Sequence, residues 1–504
     1  MLTGYVEKIL KARVYDVANE TPLDVMPRLS KRLHNTILIK REDLQPVFSF
    51  KLRGAYNRMS QLTEAERARG VVCASAGNHA QGVALSAKKM GISALIVMPK
   101  TTPPIKVEAV RAYGAEINLH GNSYDDAGAY AMEIAEKDGR TYIHPYDDPE
   151  VIAGQGTIAM EIIRQHPDPL HAIFVPVGGG GLIAGVAAYI KAFWPEIKII
   201  AVEPADAASL KAALEADERV KLDQVGLFAD GTSVRQVGKE PFRICRETVD
   251  EVITVDSDEL CAAIMDIFED TRSIAEPSGA LAVAGVKKYL ANNPMQDQKM
   301  VVIDSGANIN FDRLRHVAER AEIGERREVL FATKIDEAPG SFQRFCKTLG
   351  DRGITEFNYR YADDQQAQVF VGVRINGKDK ERKGLFELLD QAGYDWVDFT
   401  DNETAKLHVR YMVGGHAPQV ENERLIRFEF PERPGALLRF LTRIGKRWNI
   451  SLFHYRNHGA AYGRVLVGIQ VEDQYQQDFQ TFLDTLGYSY WEETDNPAYN
   501  LFLK

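Results

Sequence analysis

Between residues 36 and 305, short apolar runs alternate with longer helix-prone segments, and this rhythm restricts the fold more than any other property of the chain. The runs are TILIK (36–40), VVCAS (71–75), ALIVMP (94–99), AIFVPV (172–177), KIIAVEP (198–204) and MVVID (300–304). They are nearly continuously apolar rather than alternating, as strands buried on both faces require. Alanine-rich stretches such as HAQGVALSAKKMG (79–91) and YDDAGAYAMEIAEKDG (124–139) supply covering helices. The expectation is an α/β domain over residues 1–320, with open, mostly parallel sheets flanked by helices and a smaller subdomain at roughly 45–150.

Beyond residue 320 the texture changes. The charged stretch RHVAERAEIGERREV (315–329) reads as a helix and linker, the linker at 321–328, and behind it the sequence repeats itself. LFATKI (330–335) corresponds to LIRFEF (425–430), and Pro339-Gly340 to Pro434-Gly435, 95 residues apart. Phe345 matches Phe440 and Gly350 matches Gly445; one inserted residue later, Ile354, Tyr359, Arg360 and Gly372 match Ile450, Tyr455, Arg456 and Gly468. Each copy (329–418 and 423–504) reads strand, Pro-Gly turn, helix, strand, strand, helix, strand. That order folds as an antiparallel sheet with helices on one face, and two copies can pack side by side around a shared groove. Structural or dimerising modules and a ligand-sensing pair both fit this pattern.

With 504 residues, 45% hydrophobic and 26% charged, the chain is long enough for several folded domains. A net charge of -10 without a basic block argues against nucleic acid or an anionic membrane as partner, while small anions can still be held by backbone dipoles. Cys73, Cys245, Cys261 and Cys346 are scattered without C-x-x-C spacing, which suits a reducing compartment. The start MLTGYVEKILKARVYDV lacks the apolar core of a secretory signal, and no apolar run reaches the roughly 18 residues of a membrane span. A cytoplasmic location is the expectation.

Four segments carry chemistry. In S-F-K-L-R-G-A (49–55), Lys51 lies among Phe48, Phe50, Leu52 and Ala55, and desolvation lowers a lysine's pKa toward nucleophilic use; an ordinary surface lysine is the alternative. In VPVGGGGLIAG (175–185) a strand ends in four glycines and a helix follows, a backbone that can close on a phosphate. In C-A-S-A-G-N-H-A-Q-G (73–82), Ser75, Gly77 and the helix start can receive a carboxylate and Asn78 can donate to a phenolic oxygen; a plain N-cap explains them equally well. In V-V-I-D-S-G-A-N (301–308), Ser305 falls at the carboxyl edge of a strand, where open sheets bind ligands.

As a set, these four motifs closely resemble the threonine dehydratase branch of the fold-type II pyridoxal-phosphate enzymes over residues 1 to about 320. The doubled tail extends the resemblance to the biosynthetic members, whose tail is two ACT-like modules. The resemblance implies pyridoxal 5'-phosphate as cofactor, with Lys51 as its Schiff-base lysine. Backbone N–H groups of Gly178, Gly179, Gly180, Gly181 and Leu182 would hold the phosphate, Asn78 the ring hydroxyl oxygen and Ser305 the pyridine nitrogen. Ser75, Gly77 and His79 would receive the substrate carboxylate, and Glu276 in A-E-P-S-G-A lines the site or caps a helix.

A neutral serine at the pyridine nitrogen leaves the ring a weaker electron sink than a carboxylate would, which suits prompt loss of a β-substituent over racemisation. The implied reaction converts L-threonine to 2-oxobutanoate and ammonia, with L-serine giving pyruvate. Lys51 takes the α-proton and the β-hydroxyl departs as water. The tail is expected to bind isoleucine, with possible relief by valine, near Tyr359, Arg360, Tyr455 or Arg456, and the assembly to be a homotetramer. Relatives with a divalent-metal site carry a second acid downstream of a glutamate; here Glu203 is followed by Ser209 at that place, so no metal is expected. A serine dehydratase or racemase, a β-replacement enzyme, and a non-catalytic amino-acid sensor are the rival readings.

Overall fold

A computed structural model of the chain describes residues 2–325, 327–361, 366–376, 379–402, 404–412, 415–431, 436–444, 447–456 and 462–503. The chain forms two compact units, Met1–Ala321 and Glu322–Lys504. Among the described residues no helix is long and apolar enough to cross a membrane.

The first unit holds two sheets. The larger has the strand order Leu23–Val25, Thr36–Arg41, Lys299–Asp304, Ala172–Pro176, Lys198–Pro204, Glu251–Val255. Only the short first strand runs antiparallel, and in the parallel centre Val301 stands between Leu38 and Ile173. The smaller sheet, Glu116–Leu119, Ala94–Met98, Val71–Ala74 and Thr141–Tyr142, is wholly parallel. Every apolar run read from the sequence is one of these strands, and all but Leu95 and the ends of those runs are buried. Parallel strands place all their carboxyl ends on one edge, so the motifs that follow them can meet there.

Three helices of this unit determine where its functional groups stand: α1 (Lys51–Ser60), α2 (Pro149–Gln165) and α3 (Gly181–Phe193). Helix α2 starts firmly, because Asp148 accepts the N–H groups of Glu150 and Val151 and Pro149 occupies the first turn. The three pack backbone to backbone. A Cβ on Gly154 would lie 2.7 Å from the Arg53 carbonyl oxygen, one on Gly54 would lie 2.6 Å from that of Val151, and one on Gly185 2.7 Å from the Gly156 nitrogen. Real Cβ atoms do not approach backbone so closely, so only glycine permits this stack.

The second unit is one eight-stranded sheet, ordered Trp396–Asp398, Glu328–Asp336, Gln366–Arg374, Ile354–Arg360, Asn449–Arg456, Tyr462–Gln470, Glu423–Pro431, Ser489–Glu492. Two four-stranded modules join where Glu356–Arg360 pairs antiparallel with Leu452–Arg456. Strand periodicity sends Phe331 and Val371 into a core roofed by the helices Ser341–Leu349 and Asp379–Gln391, and Leu330 and Phe370 to the opposite face against Ala405. The repeat extends to irregularities: the ladder shifts register at Thr355 in one module and Ser451 in the other, opposite Gly372 and Gly468. A side chain on Gly372 would lie 3.2 Å from the Glu356 backbone, and one on Gly468 2.9 Å from the Leu452 Cβ, which explains the two matched glycines. The helix Arg313–Gly324 runs into the stretch expected as linker and the first strand begins at Glu328, leaving 325–327 between them. Pro434, Gly435 and Gly445 of the repeat lie outside the described residues.

Arg360 is committed to this unit's own structure. Its guanidinium donates to both Glu423 carboxylate oxygens (2.5 and 3.1 Å) and to the carbonyls of Gly415, Ser451 and Leu503, and both side chains of the pair are buried. Arg360→Ala strands a buried carboxylate and is expected to cost about 3–5 kcal/mol, whereas the neutral pair Arg360→Met with Glu423→Gln should recover most of it. Denaturant unfolding of both variants checks this; a loss below about 1 kcal/mol in the single variant contradicts it.

Candidate active site

Lys51 opens α1 at the carboxyl edge of the large sheet. Its entry is pinned: Phe50 N–H donates to the Ser305 carbonyl (3.2 Å), Ala307 N–H to that of Phe48 (2.9 Å), and Ser49 bridges Gly306. Phe48 itself sits in the left-handed region at φ 54°, a strained conformation held by these contacts. Leu52 and Ala55 are buried as expected, but Phe48 is 56% exposed, because the left-handed turn takes it away from the helix rather than around Lys51. The lysine amine lies 5.3 Å from the Phe50 ring centre and donates one hydrogen bond, to the Pro145 carbonyl at 2.9 Å. Burial pushes its ammonium down to about 8, against the opposing pull of the Glu276 carboxylate.

The residue after Pro145 leads to the glycine run. Tyr146 covers it so closely that a Cβ on Gly179 would overlap the tyrosine ring and one on Gly181 would lie 2.9 Å from the Tyr146 carbonyl oxygen. A Cβ on Gly178 would meet Thr232 Cα at 2.9 Å, and Gly180 takes φ 90°. The N–H groups of Gly178–Leu182 donate to no acceptor among the described residues, since the strand has ended and no helical turn precedes α3 to aim carbonyls at them. Five consecutive unsatisfied donors at a helix N-terminus fit the phosphate of pyridoxal phosphate.

Asn78 and Ser305 join the same neighbourhood. Asn78 donates to Glu276 Oε1 (2.6 Å) and accepts from Asn308 (2.6 Å), which also donates to the Val47 carbonyl (2.8 Å) just before Lys51. Glu276 stands at the N-cap of the helix Pro277–Asn292 without capping it; its carboxylate faces Asn78 instead, and burial raises it to about 7. Neither Ser75 nor Asn78 caps the following helix, whose N-cap is Gly77, although Ser75 Oγ accepts the Gly77 N–H at 3.2 Å. Ser305 Oγ is buried and makes one long contact, 3.4 Å, to the Ser278 carbonyl. His79 Nε2 donates to the Ile143 carbonyl (2.9 Å), leaving Nδ1 buried without a partner, and desolvation beside Lys51 lowers the imidazole to about 3, so the ring is neutral.

Glu203 accepts the Leu210 and Lys211 N–H groups (2.8 and 2.9 Å) and so holds the start of the helix Ser209–Ala216. In the second unit, Tyr359 and Tyr455 are buried in the core under the helices, with Tyr359 hydroxyl on Glu337, while Arg360 points to the other face. The Arg456 side chain lies outside the described residues. Pro145, Tyr146, Thr232 and Asn308 join the site without a distinctive motif of their own; the dense H-P-Y-D-D turn (144–148) before α2 is the available signal for the first two.

A desolvated lysine amine, an anion cradle and a polar pair at the carboxyl edge of a parallel sheet define an enzyme built to hold an aldehyde cofactor with a phosphate tail. The family model for pyridoxal-phosphate dependent enzymes matches residues 14–306, and the chain belongs to that family. The C-terminal regulatory domain of threonine dehydratase matches residues 319–409 and again 414–503. The chain is 58% identical to the biosynthetic L-threonine dehydratase of Burkholderia multivorans over 99% of both chains, and 56% identical to that of Escherichia coli over 99% of this chain and 97% of the other. A solved structure of the processed form of threonine deaminase isoform 2 from Solanum lycopersicum superposes with TM-score 0.62 at 51% identity, covering 64% of this chain and 93% of that one. Within the pyridoxal-phosphate enzymes, the chain is thus a member of the biosynthetic threonine dehydratase family, catalytic unit and regulatory tail together.

Proposed function

We propose that the chain dehydrates and deaminates L-threonine to 2-oxobutanoate and ammonia, the committed entry to isoleucine synthesis, and that isoleucine binding in the second unit restrains it. The observation that carries this reading is the Lys51 amine, desolvated and tied to the turn that covers five unsatisfied N–H donors, in a chain so similar to threonine dehydratases along its whole length.

Pyridoxal phosphate, when bound, supplies the electron withdrawal that loosens the substrate's α-proton. Gly178, Gly179, Gly180, Gly181 and Leu182 hold its phosphate through main-chain N–H groups, Asn78 and Ser305 hold the ring, and Ser75, Gly77 and His79 receive the substrate carboxylate. Lys51 accepts the α-proton, which its lowered pKa allows because a substantial fraction of the amine is neutral near pH 8. Water then leaves from the β-carbon. Four buried free cysteines agree with a reducing, cytoplasmic setting, and the family resemblance carries the homotetramer.

Release of 2-oxobutanoate from threonine, measured against pyruvate from serine, tests the substrate; faster turnover of serine sinks the threonine assignment. Isoleucine should inhibit the full chain, and a chain ending near residue 325 should stay active and indifferent to it. Inhibition retained after the truncation contradicts a regulatory second unit.

Glu276 gives a pH test. Its negative charge stabilises the Lys51 ammonium, so Glu276→Gln removes a neighbour that holds the lysine pKa up. The neutral amine then persists to lower pH, and the acid limb of the kcat profile, which reports the complex in which the Lys51 amine is free, should move down by about one pH unit at most. An unmoved or raised limb contradicts the coupling.

A further inference from the structure

Two residues past Lys51, Arg53 lies in a fully buried group of charges that the reaction does not use. All five of its N–H donors are engaged: Nε and Nη2 on Glu42 (2.7 and 2.8 Å), Nη1 and Nη2 on Glu161 (2.6 and 3.0 Å), Nη1 also on Thr157 (3.1 Å), and Nη2 also on the Asn19 carbonyl (3.2 Å). Lys40 completes the group, 2.7 Å from Glu161 Oε2, and donates to the Thr21 carbonyl at 2.5 Å. Lys40, Arg53, Glu42 and Glu161 are each 0% exposed, so two positive and two negative charges cancel out of reach of water.

Such a cluster is poorly explained by stability, since replacing a buried ion pair with apolar groups of like volume is often neutral or favourable. What a guanidinium supplies is direction: a planar fork bonded to two carboxylates has one position. Glu42 follows the strand Thr36–Arg41 of the large sheet, and Glu161 sits on α2. Arg53 therefore ties the first turn of α1 to the sheet on one side and to α2 on the other. Helix α2 in turn rests on α3 through Gly156 and Gly185, and α3 begins at the glycine run.

We infer that Arg53 is a positioning residue: held by Glu42 and Glu161, it sets where Lys51 stands relative to the anion cradle at the start of α3. This rests on the reading of Lys51 as the cofactor lysine. A misplacement near 1 Å is enough to cost about a hundredfold in rate.

Two variants of the full-length holoenzyme test it, Arg53→Lys, which keeps the charge without the fork, and the charge-neutral pair Arg53→Met with Glu161→Gln. Arg53→Lys should keep the fold while kcat falls about 10- to 100-fold with KM within about threefold. The pair leaves Glu42 without Arg53 and Lys40 without Glu161, so its melting temperature should drop, and its folded fraction should show the same kcat loss. The pH at which the visible band of the bound cofactor titrates should move as well, a signature that a merely structural residue would leave in place. If the neutral pair does not fold, Arg53→Lys decides alone. A folded variant with an unshifted band and kcat within about twofold overturns the inference. Lys51→Ala run beside them separates the two levels: turnover surviving in it sinks the lysine reading, whereas an inactive Lys51→Ala with an unimpaired Arg53 variant sinks only the positioning role.

Discussion

Lys51→Ala is expected to lose threonine turnover by about a thousandfold or more while the protein stays folded, and borohydride should no longer fix the cofactor to the chain. The fold has little reason to notice the change. The lysine amine makes one hydrogen bond, to Pro145, and the start of α1 is fixed by backbone contacts of Ser49 and Phe50 that an alanine leaves alone. Alanine is also the better helix former. The chemistry, in contrast, loses both the attachment point and the group that takes the α-proton. Lysine-to-arginine at the same site is the sharper control, because arginine restores length and charge but stays protonated at any working pH. If Lys51→Arg were to retain the rate, a neutral amine at this position would not be needed, and the role argued for Lys51 would fall. Added small amines should partly rescue Lys51→Ala and leave Lys51→Arg unchanged, as visible in the rate of 2-oxobutanoate release.

Much of the fold is legible in the sequence. The six apolar runs are strands because uninterrupted valine, isoleucine and alanine suit only a sheet covered on both faces, and the glycine run read as an anion cradle because few turns need four glycines. The strands that escaped notice are the ones that break that rule. Glu116–Leu119 and Glu251–Val255 are edge strands with partly exposed side chains, so E-I-N-L and E-V-I-T-V do not stand out as buried runs. The site's missing members have a different cause. Tyr146, Thr232 and Asn308 come from connecting segments whose place is set by tertiary packing and by no period in the sequence. Arg360 shows the limit from the other direction: its match to Arg456 is a true property of the repeat, but that its donors are occupied by Glu423 and three carbonyls depends on a strand 63 residues away. Pairing partners of buried charges are the part of a fold that composition and spacing leave undetermined.

The glycines of the helix stack give the second large effect, and they separate backbone contact from mere helix propensity. Gly185→Ala places a methyl group on α3 where it overlaps the Ile152 carbonyl oxygen and lies 2.7 Å from the Gly156 nitrogen, both main-chain atoms of α2. No side chain can swing aside there, so the helices must part. Overpacking of this kind costs about 1–3 kcal/mol, but the catalytic loss should be larger than the stability loss suggests. Helix α3 carries the glycine run at its start, and α2 is seated against α1 through Gly154 and Gly54. Parting α2 from α3 by a fraction of an ångström therefore changes the span between the phosphate cradle and Lys51, and a shift near 1 Å is worth roughly a hundredfold in kcat. Gly128→Ala is the matched control: it lies within the helix Tyr124–Asp138 with nothing within 4 Å of its added Cβ, and there the substitution should stabilise by about 0.5–1 kcal/mol and leave turnover untouched. Measuring melting temperature, kcat and cofactor retention on both variants distinguishes the cases. A Gly185→Ala protein that melts lower yet turns over threonine at the unaltered rate would mean that the stack supports the fold without setting the geometry of the site.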